Sequence, residues 1–391
     1  MMDSIIFDIY DIAITAAAVA AAIIVIAWTA RRTLLVARKA SEEIPEIPDE
    51  KLPPLSIVVY TANDSENLTN FIPAVMAQDY PSFEVVVVDA SVNEYTKDVL
   101  LRFSLDYPNL YHTFIPRGTE NLSRKKLAIM LGLKAANHDY VLLTTSSAIP
   151  ASNKWLRGMA TGFAQGKDVV IGYSHIDYAA DTYPGKRMRA FDLVMDSVQY
   201  LSYALRGRTY RADGNSLAYR KQLFFDNKGF HSNLNLHFGD DDLFIREITT
   251  PDNTAVCISR DAQPVVHDDD IKLLHHSMKM RYGFTFRYIH TWAKYSSGAV
   301  SLLCWLLPTL AACAFPIGGI EATVGAGVPL LATWGAQMVL WRKACKALGT
   351  RPITITAPFL ALARPFYNLR YKFIIKKNKK SNFTWQRRKN K

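Results

Sequence analysis

The chain has 391 residues with a formal net charge of +11, and 49% of its residues are hydrophobic. A chain of this length accommodates one large domain with membrane segments, or two domains. Its four cysteines are scattered and show neither a disulfide framework nor zinc-ligand spacing, as expected in a reducing compartment. Composition therefore argues against a disulfide-stabilised secreted domain and against a zinc module.

The first predicted element is a membrane span at 12–30, which contains no charged residue and is followed by two arginines. A helix rises about 1.5 Å per residue, so this span roughly matches the hydrocarbon thickness of a bilayer. A secretory signal peptide is the alternative, but residues 1–11 are acidic where a signal peptide is basic. We expect an N-terminal transmembrane anchor over 1–40, followed by a proline-rich linker at 41–54.

After the linker, apolar strands alternate with helices. The patterns predict strands at 55–60, 83–88, 110–115 and 140–144, and helices at 66–77, 95–107 and 123–136. Continuous apolar strands separated by helices are typical of a parallel α/β sheet. Because ligands bind beyond the carboxyl ends of the strands in such sheets, the loops at 60–63, 89–91 and 145–147 are candidate site loops.

Two polar motifs in this region each allow two interpretations. Asp89 directly follows four valines, and it either accepts hydrogen bonds from a base or ribose or serves as a turn or helix-cap residue. Arg124, Lys125 and Lys126 open a helix, and they either neutralise a diphosphate near the helix N-terminus or form a solvated face.

Three charged motifs follow later in the chain. GDDDLF at 239–244 supplies either a general base that deprotonates an acceptor hydroxyl or an acid-rich helix N-terminus. HDDD at 267–270 is a second acidic group, which we interpret as a solvated loop. KMRY at 279–282 has two interpretations. Lys279 and Arg281 either bind phosphates at the membrane face, or they only extend their charged ends to the membrane–water interface.

Two uncharged spans at 298–316 and 322–341, joined by PIGGIE, predict a membrane hairpin within 291–346. A buried soluble hairpin is the alternative. Basic residues follow the first and third spans, so the positive-inside rule places the intervening segment and the tail in the cytoplasm. For the basic, aromatic tail at 347–391 we favour amphipathic attachment to anionic lipids over nucleic-acid binding.

Together these motifs resemble an inverting family 2 glycosyltransferase of the membrane-anchored bacterial type, with the GT-A nucleotide-diphospho-sugar transferase fold. The resemblance covers about 55–288 and rests on SIVVYTANDSENL, VVVVDAS, LSRKKLAIMLGLKAA, YVLLTTSSAIPASNKWL, IGYSHIDY, GNSLAYRKQLFF with KGF, GDDDLF and KMRY, in this order. It implies a Rossmann-type mixed, mainly parallel sheet with flanking helices over 55–290, in addition to the three predicted transmembrane helices.

The resemblance also implies roles for individual residues. Asp241 matches the catalytic base, with Asp240 as the alternative register. The other implied positions are, for the nucleotide and donor, Asn63, Asp64, Asp89, Ser91, Lys126, Thr145 and Ser147; for the leaving diphosphate, Lys279 and Arg281; and for the acceptor region, Gly214 and Asn215.

The sequence departs from the family at the metal-binding turn. The family's Asp-x-Asp corresponds here to Thr145 and Ser147, and the glutamine of its late motif corresponds to Met278. Hard divalent cations prefer charged oxygen ligands, so two hydroxyls do not hold Mn²⁺ or Mg²⁺ comparably, and no metal ligand is assigned. Either basic residues replace the metal or donor turnover is poor or absent.

These observations predict a multi-pass protein of the bacterial inner membrane, with its domain and tail in the cytoplasm. It would transfer a sugar from a nucleotide-diphosphate donor to a lipid-linked or polysaccharide acceptor, with inversion. The alternative is a catalytically impaired relative that serves as a binding or scaffold subunit beside other glycan-synthesis proteins. Anionic lipids are expected partners, and nucleic acid is not.

Overall fold

The structure, a computed structural model, describes residues 9–91, 94–115, 123–289 and 292–378. Its strands are β1 (Leu55–Thr61), β2 (Phe83–Asp89), β3 (Leu110–Phe114), β4 (Tyr140–Thr145), β5 (Ala148–Pro150), β6 (Val169–Ile171), β7 (His175–Ile176), β8 (Leu217–Arg220), β9 (Thr254–Val256) and β10 (Pro264–Val266). Its helices are α1 (Ile9–Ala40), α2 (Ser65–Met76), α3 (Tyr95–Asp106), α4 (Arg124–Ala135), α5 (Trp155–Ala164), α6 (Lys186–Ala204), α7 (Lys221–Asp226), α8 (Leu243–Ile248), α9 (Ile271–Thr285), α10 (Trp292–Ala347) and α11 (Ala357–Lys377). The basic series beyond Asn378, on which the membrane-lipid prediction partly depends, lies outside the described residues.

The main sheet has seven strands in the order β3-β2-β1-β4-β8-β6-β9. The first four strands of the chain are mutually parallel, whereas β8 runs antiparallel to both of its neighbours. The strands and helices predicted between 55 and 144 are confirmed to within one residue at each end. The mixed, mainly parallel α/β sheet is therefore confirmed as well.

Both faces of the main sheet are covered, which explains its uninterrupted apolar strands. On one face Ile57 and Val59 belong to a buried cluster with Phe71 of α2 and Trp155 of α5. On the other face Val58 is buried with residues of α4 and α6. A strand buried on both sides has no solvent-facing position, so apolar residues occupy consecutive positions rather than alternate ones.

The register of the sheet brings the candidate loops to one edge. Tyr60 lies opposite Thr145 and Thr61 lies opposite Asp89, so β1, β2 and β4 end at the same level. Because β8 is antiparallel to β4, the segment that precedes β8 reaches this same edge. Side chains from distant parts of the sequence therefore meet there.

A second, three-stranded sheet, ordered β5-β10-β7, adjoins this edge. β10 pairs antiparallel with β5, and the backbone N–H of His267 donates to the carbonyl of Ser147 at 2.9 Å. This pairing holds the HDDD segment directly beside the turn that follows β4.

Two described helices, Ile9–Ala40 and Ala293–Ala347, are long and apolar enough to cross a membrane. The second one leaves the helical conformation at Gly318 and Gly319, inside the predicted PIGGIE connection. Beyond this bend, Gln337 Nε2 lies 3.7 Å from Cys304 Sγ, so the two halves of α10 run back along each other. Long apolar helices near both ends of the described chain are therefore confirmed, whereas the number of three membrane spans stays a prediction.

The apolar helices contact each other through small side chains, which let helix backbones approach closely. The buried residues of this contact are Ala18, Ala21 and Ala22 of α1 and Leu307, Ala314, Ala322 and Ala326 of α10. Within the tail predicted to be amphipathic, residues 357–377 form α11, which leaves Phe366, Leu369 and Phe373 exposed.

Candidate active site

A cavity of about 580 Å³ lies at the edge where β1 and β4 end. Its wall contains the loops after β1, β4 and β10, the segment before β8, and part of α9. The predicted site residues in this wall are Asn63, Asp64, Thr145, Ser147, Gly214, Asn215, Asp241 and Arg281. The predicted residues outside it are Asp89, Ser91, Lys126, Asp240 and Lys279.

The loop after β1 is held in shape by the loop after β2. Asn63 has a φ of 53°, a left-handed conformation that asparagine tolerates better than most residues. Its backbone N–H donates to Ser91 Oγ at 2.7 Å, and the N–H of Ser91 donates to Asp89 Oδ1 at 2.7 Å. Asp89 and Ser91 thus support this loop from behind, while Asn63 and Asp64 face the cavity.

The turn after β4 carries hydroxyls that bond to one another and to the segment before β8. Thr145 Oγ1 donates to Asn215 Oδ1 at 3.1 Å and lies 3.2 Å from Ser147 Oγ. Ser146 donates to Asp64 Oδ2, whose other carboxylate oxygen accepts from Asn67 at 2.8 Å. Neutral groups therefore occupy the turn, and the nearest carboxylate, that of Asp64, is already hydrogen-bonded.

Three consecutive aspartates precede α8, and the first two have different surroundings. Asp241 lines the cavity, where its Oδ1 lies 2.9 Å from Arg281 Nη2 and its Oδ2 accepts from the Tyr282 hydroxyl at 2.9 Å. Asp240 lies behind the wall, with Lys125 Nζ at 3.1 Å and Arg281 Nη2 at 2.6 Å. Only Asp241 of this pair is therefore placed to meet a ligand in the cavity.

The cations beside these aspartates determine which way the pKa of each carboxyl is shifted. Burial raises the pKa of Asp240, but Arg281 and then Lys125 outweigh burial and hold it well below its usual range. Asp242, the N-cap residue of α8, lacks such a cation at contact distance among the described residues. Its burial and the neighbouring Asp241 raise its pKa to about 6.

The raised pKa of Asp242 predicts a pH dependence of stability. The Asp242 carboxyl binds its proton more tightly in the folded protein than in the unfolded chain. The stabilisation that this gives to the fold is complete below the ordinary pKa of 3.8 and is lost as the pH rises through about 6. Asp242→Asn stays neutral, so we expect its melting temperature to rise relative to wild type from about pH 4 to pH 6. Asp252→Asn at the exposed surface is the control, and a pH-independent difference for Asp242→Asn would contradict the assignment.

Lys126 lies away from the cavity, although the resemblance places it near the diphosphate. Its side chain is 0% exposed. Its Nζ donates to Asn233 O at 2.6 Å, Asn233 Oδ1 at 2.7 Å and Leu236 O at 3.0 Å, which uses all three of its protons. Neighbouring Lys125, about 100° further round α4, lines the cavity instead.

Lys279 also points away from the cavity, into a buried ion-pair cluster that joins α6, α9 and α11. Its Nζ lies 2.9 Å from Asp192 Oδ2, and Arg364 Nε lies 2.7 Å from Asp192 Oδ1. Burial raises the pKa of Asp192, but Lys279 and then Arg364 outweigh it and keep that pKa low. On the predicted KMRY motif, Arg281 alone of the two cations reaches the cavity.

Several residues of the cavity wall escaped prediction. Arg211 lies against the ring of Tyr282, with its guanidinium carbon 3.3 Å from the ring centroid. The 267–270 segment, interpreted as a solvated loop, also lines the wall. Its position depends on the pairing of β5 with β10, which no local sequence pattern reveals. Arg211 lies three residues before the GNSLAY motif, and this proximity is the sequence signal for its place in the wall.

The donor set of the turn does not fit the divalent metal that the family implies. Thr145 and Ser147 supply neutral hydroxyls that already share hydrogen bonds with each other and with Asn215, whereas a hard cation prefers carboxylates. Within the part of the chain that the structure describes, no three His, Cys, Asp or Glu side chains are grouped to hold a metal.

Residues 56–225 match the model of glycosyl transferase family 2. No curated protein sequence matches the chain significantly. Mannosyltransferase PcManGT from Pyrobaculum calidifontis, solved with GDP-Man and Mn²⁺, has a TM-score of 0.52 at 18% identity, over 91% of this chain and 99% of its own. TarS 1-349 of S. aureus, solved with UDP-GlcNAc, has a TM-score of 0.40 at 14% identity, over 83% of this chain and 90% of its own. The PcManGT likeness shows the fold, and the family match shows the relationship: residues 56–225 belong to a glycosyltransferase family 2 domain with a GT-A-like fold.

Proposed function

We propose that this protein is a membrane-bound glycosyltransferase that moves a sugar from a nucleoside-diphosphate donor to a lipid-linked or polysaccharide acceptor. The observation that carries the proposal is Asp241, a carboxylate in the wall of a cavity at the carboxyl edge of a family 2 domain. The Asp241 carboxylate contacts the guanidinium of Arg281 and accepts a hydrogen bond from the hydroxyl of Tyr282. This arrangement suits a general base that acts on an acceptor hydroxyl.

The proposed reaction is a direct displacement. Asp241 accepts the proton of the acceptor hydroxyl while that oxygen attacks the anomeric carbon on the face opposite the departing diphosphate. The new glycosidic bond forms as the bond to the diphosphate breaks, so the configuration inverts. The hydrogen bond from Tyr282 and the charge of Arg281 orient the carboxylate.

The donor would lie over the carboxyl ends of β1 and β4. Asn63 and Asp64 would contact the nucleoside, with Asp89 and Ser91 holding their loop. Charge on the leaving diphosphate would be offset by cationic side chains of the wall, because the turn offers only hydroxyls. Preorganised charges in a secluded site stabilise such a leaving group more than they would in water.

Membrane attachment is part of the proposal. Much of the apolar surface of α1 and α10 is exposed, including Ile23, Leu302 and Leu331. A bend at Gly318 and Gly319 would make α10 cross twice, giving three crossings with the transferase domain on the cytoplasmic side of a bacterial inner membrane. Resistance of the full chain to alkaline carbonate extraction supports this arrangement, and release into the supernatant contradicts it.

A second function is favoured by one specific observation. The absence of carboxylates at Thr145 and Ser147 is also what a non-catalytic relative would show. Such a protein would bind a glycan intermediate or a partner enzyme without turning over a donor. The two functions differ in whether the purified protein releases nucleoside diphosphate from any nucleotide sugar.

The metal dependence of donor binding provides a direct test. We expect UDP or GDP to raise the melting temperature of the detergent-solubilised full chain in EDTA, and Mn²⁺ to add little. At a ligand concentration about 100 times Kd, binding stabilises the fold by about 2.7 kcal/mol. Release of nucleoside diphosphate from a panel of UDP- and GDP-sugars, with and without Mn²⁺, is the accompanying assay.

Three outcomes of this test have different meanings. Stabilisation and turnover in EDTA support a metal-independent transferase. A strict requirement for Mn²⁺ means that acids other than those of the turn supply the ligands. If no nucleotide stabilises the protein and no donor is turned over under either condition, the transferase proposal fails and the binding subunit remains.

A further inference from the structure

Three lysine and arginine side chains line the cavity in the described part of the chain: Lys125, Arg211 and Arg281. Two of them are already paired with acids. Lys125 contacts Asp240, and Arg281 contacts both Asp240 and Asp241. Among the described residues Arg211 forms no ion pair at contact distance, although the charges of Asp196 and Asp241 act on it from further away.

Arg211 is held in place by aromatic rings instead of a carboxylate. Its guanidinium carbon lies 3.3 Å from the ring centroid of Tyr282 and 5.0 Å from that of Tyr200. Its Nε is buried and has no hydrogen-bond partner in the described chain. Stacking on an aromatic face fixes the plane of the guanidinium and leaves its N–H edges available.

The segment that carries Arg211 links the proposed base to the hydroxyl turn. The backbone N–H of Ala212 donates to Asp241 O at 2.8 Å. Three residues further on, Asn215 accepts the hydrogen bond from Thr145. Gly214 lies between these points, where an added Cβ would be 2.9 Å from Asp241 Oδ2 and 3.1 Å from Lys125 Nζ.

Partial burial of the Arg211 guanidinium is costly, and Asp196 and Asp241, which act on its charge without contacting it, offset that cost, so an anion bonded to it directly would stabilise it further. Every arginine is charged at physiological pH, so Arg211 cannot avoid this cost by losing its proton. A phosphate group is a suitable ligand, because it is an anion and its oxygens accept paired hydrogen bonds from the planar guanidinium. The two tyrosine rings hold that guanidinium ready before the ligand arrives, which limits the cost of reorganisation.

We propose that Arg211 binds the diphosphate of the nucleotide donor. Its positive charge would take the place of the metal ion that a turn with carboxylates would hold. This inference rests on the proposed transferase function. A phosphate of a lipid-linked acceptor has the same chemistry, so the experiment must separate the two sources.

The test measures the affinity of the detergent-solubilised full chain, in EDTA, for UDP, GDP, the matching nucleosides and farnesyl diphosphate. The variants are Arg211→Gln, Arg211→Lys and, as a matched control, Arg208→Gln at an exposed position of the same loop. We expect Arg211→Gln to weaken nucleoside-diphosphate binding at least about tenfold, because it removes charge-assisted hydrogen bonds. Arg211→Lys should be intermediate, since it keeps the charge without the planar fork.

Nucleoside affinity should stay within about twofold in all variants, and Arg208→Gln should match wild type within about twofold. Unchanged nucleoside-diphosphate affinity in Arg211→Gln overturns the inference, as does a loss confined to farnesyl diphosphate, which assigns Arg211 to the acceptor. If Arg211→Gln does not fold, wild-type affinity in Arg211→Lys overturns the inference. Failure of the wild-type protein to bind any nucleoside diphosphate instead overturns the proposed function, and the inference with it.

Discussion

Replacing Asp241 with asparagine is expected to lower donor turnover by about 10²- to 10⁴-fold, the usual contribution of a general base. Asparagine has nearly the same shape and can still accept a hydrogen bond from Tyr282, but it cannot take the proton of an acceptor hydroxyl. Donor affinity should remain within about threefold of wild type, because the substitution removes a group that acts in the transition state. Release of nucleoside diphosphate and a binding titration on the same preparation measure the two quantities.

Asp240→Asn is the matched control for this prediction. Asp240 lies outside the cavity wall and is paired with Lys125 and Arg281, so its replacement removes a buried charge partner rather than a proton acceptor. We expect it to lower the melting temperature more than Asp241→Asn does. Loss of turnover in Asp240→Asn together with retained turnover in Asp241→Asn would show that Asp240, rather than Asp241, is the base.

Lys126→Met is expected to reduce the free energy of unfolding by about 3 kcal/mol, because it leaves three buried acceptors without a donor. Those acceptors are the carbonyl and side-chain oxygens of Asn233 and the carbonyl of Leu236. Burial lowers the pKa of Lys126 to about 8, which shows that its charge is expensive to place there. Methionine removes that cost but cannot replace the hydrogen bonds. Denaturant-induced unfolding in detergent measures the difference.

Lys125→Met separates stability from ligand binding. The Lys125 side chain is partly exposed to the cavity and contacts Asp240, so its loss should weaken diphosphate binding more than it weakens the fold. Lys126→Met should show the reverse. If Lys126→Met unfolds like wild type and loses nucleotide affinity, the lysine reaches the donor and the buried arrangement does not describe the ligand-bound protein.

The local sequence pattern was sufficient to predict the framework of the domain. Apolar runs such as the four valines before Asp89 mark strands buried on both faces, and the helix periodicity between them marks crossovers. In a parallel sheet the loops after the strands share one edge, so Asn63, Asp64 and Thr145 could be expected at one site. The register of β1 with β2 and β4 agrees with this expectation.

The direction in which a helical side chain points was much harder to predict. Lys279 and Arg281 are two residues apart on α9, which rotates them by about 200° relative to each other. One reaches the cavity, and the other enters the cluster with Asp192 and Arg364. Which face meets which neighbour depends on α6 and α11, whose packing partners are remote in the chain.

The sequence by itself determined the parallel α/β core, the loops that form the site, the apolar helices and the loss of carboxylates at Thr145 and Ser147. The first three follow from composition and periodicity, which act over a few residues, and the last follows from the resemblance to the family. Only the tertiary structure decided that Asp241 rather than Asp240 faces the cavity, that Lys126 is buried, and that Arg211 lies there stacked on Tyr282. The physical reason is that burial and pairing depend on contacts between distant segments, such as Lys126 with Asn233, and no local pattern encodes them.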